Sequence, residues 1–159
     1  MAELPKDVKS SARPFFIEPA AGRVVEEKGG AMIMKEVVME RDALEEGIAL
    51  FNEGKYFEAH EAWEDLWLNE RDASEKRFYQ GLIMAAGAML HYKKRECAGA
   101  NSLLEKSIPM IQEGMHSHPN LRIDDLTRAL DGLKNEFSRC SYNLPAESLP
   151  KISRMYIYC

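Results

Sequence analysis

From Met34 onward the apolar residues fall into a helical period. Val37, Leu44, Ile48 and Phe51 recur at helical intervals, and Gly54 stands where a C-terminal cap would end that first helix. Tyr56 to Asn69 predicts a second helix, and the polar turn NERDASEK offers Asp72 or Ser74 as the cap of a third over about 74–94. Between Leu82 and Leu90 the third is apolar almost all round, which marks it as the central helix. A fourth covers about 98–113 with Leu103, Leu104, Ser107, Ile108 and Ile111 as its stripe, and Pro109 should kink or divide it. After the loop GMHSHPN, Asp124 is placed to cap a fifth helix, in which Leu126, Ala129, Leu130, Leu133 and Phe137 repeat until CSYNLP ends it. No strand pattern of comparable strength appears, so the predicted fold class is all-α, a compact bundle of about five helices.

The domain plan is an irregular N-terminal arm over 1–33, the bundle over 34–140 and a C-terminal tail over 141–159. The arm holds a Gly-Gly pair and PFFIEP, whose apolar residues would be costly to expose together. Gly81, Ala85 and Ala88 make a strip of small residues on the third helix, over which large rings of the second would fit. A weak internal echo near forty residues aligns Ala59 with Ala100 and resembles the tetratricopeptide pattern of paired antiparallel helices.

Composition narrows the class. At 159 residues the chain is long enough for a core without staples, and a net charge of -5 gives no basic footprint for nucleic acid or an anionic membrane. The longest apolar run, GLIMAAGAML, is too short to span a bilayer. Cys97, Cys140 and Cys159 are odd in number and widely spaced, so they read as thiols in a reducing cytoplasm, with buried structural thiols the default for Cys97 and Cys140. A cytoplasmic location is expected.

The candidate chemistry lies in YFEAHEAWEDLW, residues 56–67. A helical projection centred on His60 puts Glu64, Phe57, Trp67, Tyr56 and Trp63 within about 60° of it and sends Glu58, Glu61 and Asp65 to the solvent side. His60 then becomes the centre of the inner face. One turn apart, His60 and Glu64 have β-carbons about 5–6 Å from each other and can hydrogen-bond, with Trp63 and Trp67 excluding water. Hairpin arithmetic brings Gln80 opposite as a third polar group, whereas His91 belongs nearer the turn between helices one and two.

Other chemistries lack parts. An HExxH zinc site would need histidine where Glu64 stands, and a di-iron bundle would need paired ExxH motifs. No metal or cofactor is therefore expected, and HSH at 116–118 reads as a solvated turn. No nucleophile elbow accompanies His60.

The stretches LFNEGKYFEAHEAWEDLW, FYQGLIMAAGAMLHY, GANSLLEKSI and LRIDDLTRAL resemble the family catalogued as domain of unknown function 309 over roughly residues 40–135. Its signature is histidine, glutamate four on and tryptophan three further, an HxxxExxW motif met here by His60, Glu64 and Trp67. The resemblance implies a small helical bundle with tetratricopeptide-like hairpins, marks Gln80 and Gly81 as motif positions, and brings no activity with it. The leading functional reading is a binding module whose inner face, around His60, Glu64, Trp67, Gln80 and Trp63, receives a small ligand or partner segment. The alternatives are an acid/base enzyme with His60 as proton carrier and Glu64 as its orienter, or a purely structural polar core. Whether the tail's Met155, Tyr156 and Ile157 meet a second subunit stays open.

Overall fold

A computed structural model describes residues 31–155, with side chains from Asp42 onward. The chain partitions into units of residues 1–33 and 34–159, and the bundle is built within the second. The arm expected over 1–33 lies outside the described residues apart from the helix start at Ala31, as do the Val37 side chain, Tyr156, Ile157 and Cys159.

Among the described residues five α-helices follow one another: α1 Ala31–Asn52, α2 Tyr56–Asn69, α3 Ala73–Lys93, α4 Cys97–Glu113 and α5 Ile123–Ser138, with a 3-10 turn at Ala146–Ser148. Turns of three residues reverse the chain after α1, α2 and α3, and the pairs α2/α3, α3/α4 and α4/α5 pack together. The central helix α3 buries Phe78, Leu82, Ala85, Ala86 and Met89 against Leu104 and Ile111 of α4, and Leu126, Leu130 and Phe137 complete the core from α5.

Local signals explain most boundaries. Asp72 caps α3 by accepting from the Ser74 and Glu75 amides at 3.0 and 2.9 Å. At the other end α1, α3 and α5 close alike, with one amide bonding back three residues and the next bonding back five. These are Gly54 to Phe51 and Lys55 to Leu50, Arg95 to Tyr92 and Glu96 to His91, Cys140 to Phe137 and Ser141 to Glu136. The closure puts one residue in the left-handed region: Gly54 at φ 80°, Arg95 at 62° and Cys140 at 51°. Only glycine takes it without steric cost, so Arg95 and Cys140 each give up about 1 kcal/mol there.

Several expectations are corrected. Asp124 does not cap α5; the cap position is Arg122, without a side-chain bond, and Asp124 and Asp125 sit in the first turn, where the helix dipole favours them. Pro109 does not divide α4, because Pro109 and Glu105 are both exposed and water can serve the carbonyl that proline leaves unpaired. The small strip of α3 receives α4 instead of the rings of α2: a β-carbon on Gly81 would stand 2.9 Å from the Ile111 backbone nitrogen. Cys97 and Cys140 are not thiols but a disulfide, with α-carbons 5.4 Å apart and a sequence separation of 43.

The tail is also more than a loose end, because residues 149–155 strap α1 to the loop before α5. Asn52 exchanges two bonds with Ile152, donating to its carbonyl at 2.8 Å and accepting from its amide at 2.7 Å. Arg154 grips Glu45 through both carboxylate oxygens, and Leu121 and Arg154 form an antiparallel bridge. Pro150 and Ile152 are buried beneath these contacts.

Candidate functional site

Helix α2 is turned differently from the projection centred on His60. Its buried residues are Tyr56, Ala59, Trp63 and Leu66, which places the centre of the inner face roughly 80° around the helix from His60. Phe57, counted as an inward ring, is 50% exposed. Ala59 and Leu66, which carry no ring and no charge, define the buried direction instead.

Trp63 is sealed in the core and unavailable to a ligand. Its indole lies on Gly47 of α1, where an added β-carbon would fall 2.1 Å from Nε1, and Nε1 donates to the Leu44 carbonyl at 3.4 Å. Phe51 joins the stack with ring centroids 5.8 Å from Trp63 and 5.1 Å from Tyr56. Burial pushes the Tyr56 phenol above its ordinary pKa, with Tyr92 adding to the shift. This face is dry packing.

His60, Glu64 and Trp67 lie on the flank. The side chains of His60 and Glu64 are 31% and 50% exposed, and His60 Nδ1 stands 4.0 Å from Glu64 Oε2. That exceeds hydrogen-bonding distance. His60 Nδ1 is itself covered and has no partner, so the carboxylate neither fixes the tautomer nor orients the ring. Trp67 is half-buried with Lys76 Nζ 5.1 Å above its ring, a cation held over the π face. Gln80 is half-buried on α3, and among the described residues no hydrogen bond joins it to His60 or Glu64. The anticipated polar triad is therefore not closed, and no wall of two tryptophans shields it.

Glu58, Glu61 and Asp65 are exposed, as the projection has them. With Glu64 they give α2 four carboxylates on its outer surface, none with a lysine or arginine within 4 Å among the described residues. Phe57 and Leu68, each 50% exposed, share this outer flank with Glu61 and Glu64. Eleven residues separate the two apolar groups, about 16 Å along the helix.

A joined imidazole and carboxylate exist elsewhere, where the loop before α5 was expected to be solvated. His118 Nε2 lies 2.7 Å from Glu75 Oε2, with side chains only 18% and 19% exposed, and the imidazole stacks on Phe78 at 4.5 Å. His116 stays exposed. One sequence signal bears on this pair. Asp72 and Glu75 have capping-box spacing, in which the glutamate returns to the cap amide. Here Glu70 takes that amide at 2.8 Å, which leaves Glu75 free to turn toward the loop. His91, placed by hairpin arithmetic nearer the first turn than to His60, meets Glu96 at 2.5 Å, and Lys93, two residues on, reaches that turn through the Gly54 carbonyl at 2.7 Å. Among the described residues no three histidine, cysteine, aspartate or glutamate side chains converge as a metal cage, and no helix is long and apolar enough to cross a membrane.

An all-helical hairpin bundle that presents histidine, glutamate and tryptophan on one flank of its second helix is the class these features define. Residues 44–103, from the second half of α1 into α4, match the family described as Domain of unknown function (DUF309). The chain is also similar to the "Uncharacterized protein YpuF" of Bacillus subtilis (strain 168), with 33% identity over 69 residues, 43% of this chain. The chain spans 40% of the length of that curated relative. His118, the Cys140 half of the disulfide and the strap lie beyond the residues matched to the family.

Proposed function

We propose that the domain is a binding module, and that the flank of α2 formed by Phe57, His60, Glu64, Trp67 and Leu68 receives a basic, amphipathic segment of a partner protein. The observation that carries this reading is the exposure of Phe57 and Leu68, 50% each, at the two ends of a stripe that also bears Glu61 and Glu64. Exposed apolar groups spaced over three helical turns match the anchors of a helix lying alongside. The carboxylates repel one another at spacings of three and four residues, and a cationic partner relieves that repulsion. An open flank suits a segment better than a small molecule, which needs enclosure on most sides. The 4.0 Å gap between His60 Nδ1 and Glu64 weighs against an oriented general base.

The test uses the full chain as bait beside two variants: Phe57→Ser with Leu68→Ser, and Met155→Ser as a control at another exposed apolar residue. A partner should be held by the wild type and the control. The double variant should bind it at least about tenfold more weakly, equivalent to ~1.4 kcal/mol, and binding should weaken further as salt rises. Equal binding by the double variant, or binding indifferent to salt, rules the reading out.

A further inference from the structure

We infer that the Cys97–Cys140 bridge is an exchangeable redox site, opened by a dithiol reductant while the bundle stays folded. Its surroundings differ from those of a buried staple. Cys140 is exposed and Cys97 half-buried at the first residue of α4. Cys140 occupies the left-handed closing position of α5 at φ 51°, where glycine is favoured, and Arg95, two residues before Cys97, holds the matching position of α3 at φ 62°. Two strained, non-glycine helix ends thus flank one covalent bond, and strain of this kind persists where surrounding contacts hold it. Those contacts are local: Tyr142 donates to the Arg95 carbonyl at 2.6 Å, and the Leu144 amide donates to the Tyr92 hydroxyl at 3.2 Å.

The chemistry has a direction. A reductant thiolate attacks the exposed Cys140 sulfur, forming a mixed disulfide there, and the old bond's electron pair leaves on Cys97 as thiolate. Cys97 is the better leaving group because the amides opening α4 stabilise negative charge. Glu96, which would oppose this, is engaged with His91 at 2.5 Å. The reductant's second thiol then attacks its own sulfur in the mixed disulfide and expels Cys140. Two electrons pass to the protein, the reductant becomes a disulfide, and its two protons end on Cys97 and Cys140. With the bond open, residues 139–148 keep the closing amide bonds of Arg139, Cys140 and Ser141 to α5 and the Tyr142 and Leu144 contacts, but lose their covalent tie to α4, and the junction loosens.

The test uses the full chain carrying Cys159→Ser, so that two cysteines remain. After treatment with dithiothreitol in native buffer, maleimide labelling should count two thiols with the helical circular dichroism unchanged, and a disulfide oxidant should restore the bridge. Tryptic cleavage after Arg139 should become about tenfold faster in the reduced form, and the thermal midpoint should fall by about 10 °C. With glutathione, the mixed disulfide should map to Cys140 by mass spectrometry. A bridge that opens only in denaturant, or whose opening abolishes the helical signal, overturns the proposal, and a mixed disulfide found mainly on Cys97 overturns the direction of attack. The double variant Cys97→Ser with Cys140→Ser stands in for the reduced state and should show the same cleavage; protection of its Arg139 site counts against the loosening.

Discussion

His118 and Glu75 come from opposite sides of two helices and a loop, yet meet at 2.7 Å, whereas His60 and Glu64, one turn apart on α2, stay at 4.0 Å. The difference lies in enclosure. The first pair is walled by the Phe78 ring, little exposed, and so loses water that would compete for both groups. The second pair stands on a flank where Glu64 is half in solvent, and holding two side chains together there costs rotamer entropy for little electrostatic gain. Spacing along a helix makes a contact possible, but only tertiary packing makes it worth keeping.

The strongest way to break the comparison is to ask which face of α2 points inward. Gly47→Ala decides it, because the two answers differ in sign. If Trp63 lies on Gly47, the added methyl meets the indole at 2.1 Å in a fully buried place and forces repacking. The net loss should be about 3 kcal/mol, roughly 6–12 °C in thermal midpoint, even after the ~1 kcal/mol by which alanine favours a helix. If the inner face were centred on His60, position 47 would have room and the same change should stabilise by about 1 kcal/mol. A raised midpoint therefore sinks the α2 orientation described here.

Helix existence and limits were legible because each helix carries its own period and end signals, as Asp72 and Gly54 illustrate. The rotation of α2 was not, since counting rings drew the inner face toward Phe57 and His60 while Ala59 and Leu66, small or unmarked, carried the real direction. A ring half in water and an alanine wholly buried invert the weights that a projection by size assigns. Contacts made across long separations left no periodic trace at all. Cys97 and Cys140 pair over 43 residues, and His118 sits in a loop without a period. The strap is held largely by backbone bonds to Asn52 and the 120–122 loop, which any sequence there could offer. The HxxxExxW motif marks positions on α2 but does not carry the burial of its members.

The enclosed pair gives the next largest effect. His118→Ala removes a shielded contact to Glu75 and the stack on Phe78, and leaves a largely covered carboxylate without its partner. A loss of about 2 kcal/mol, roughly 4–8 °C, is expected. A double-mutant cycle with Glu75→Ala should return a coupling of at least ~1 kcal/mol. Additive effects would mean that the two side chains stabilise the loop independently, and the contrast with the α2 pair would lose its basis.

The smallest effect sharpens the comparison most. His60→Ala and Glu64→Ala should each change stability by less than ~0.5 kcal/mol, with coupling near zero, because His60 Nδ1 and Glu64 Oε2 lie 4.0 Å apart beside solvent. Alanine also suits an exposed helical position, so a slight gain at Glu64 agrees with this account. His60 carries one further consequence: its Nδ1 is covered yet unpartnered, so removing the ring discards a polar atom that the folded domain leaves unsatisfied. Stability unchanged by His60→Ala, together with partner binding weakened by the same variant, separates a side chain kept for recognition from one kept for folding. A loss of several degrees on His60→Ala would instead put this histidine beside His118 as a support of the core.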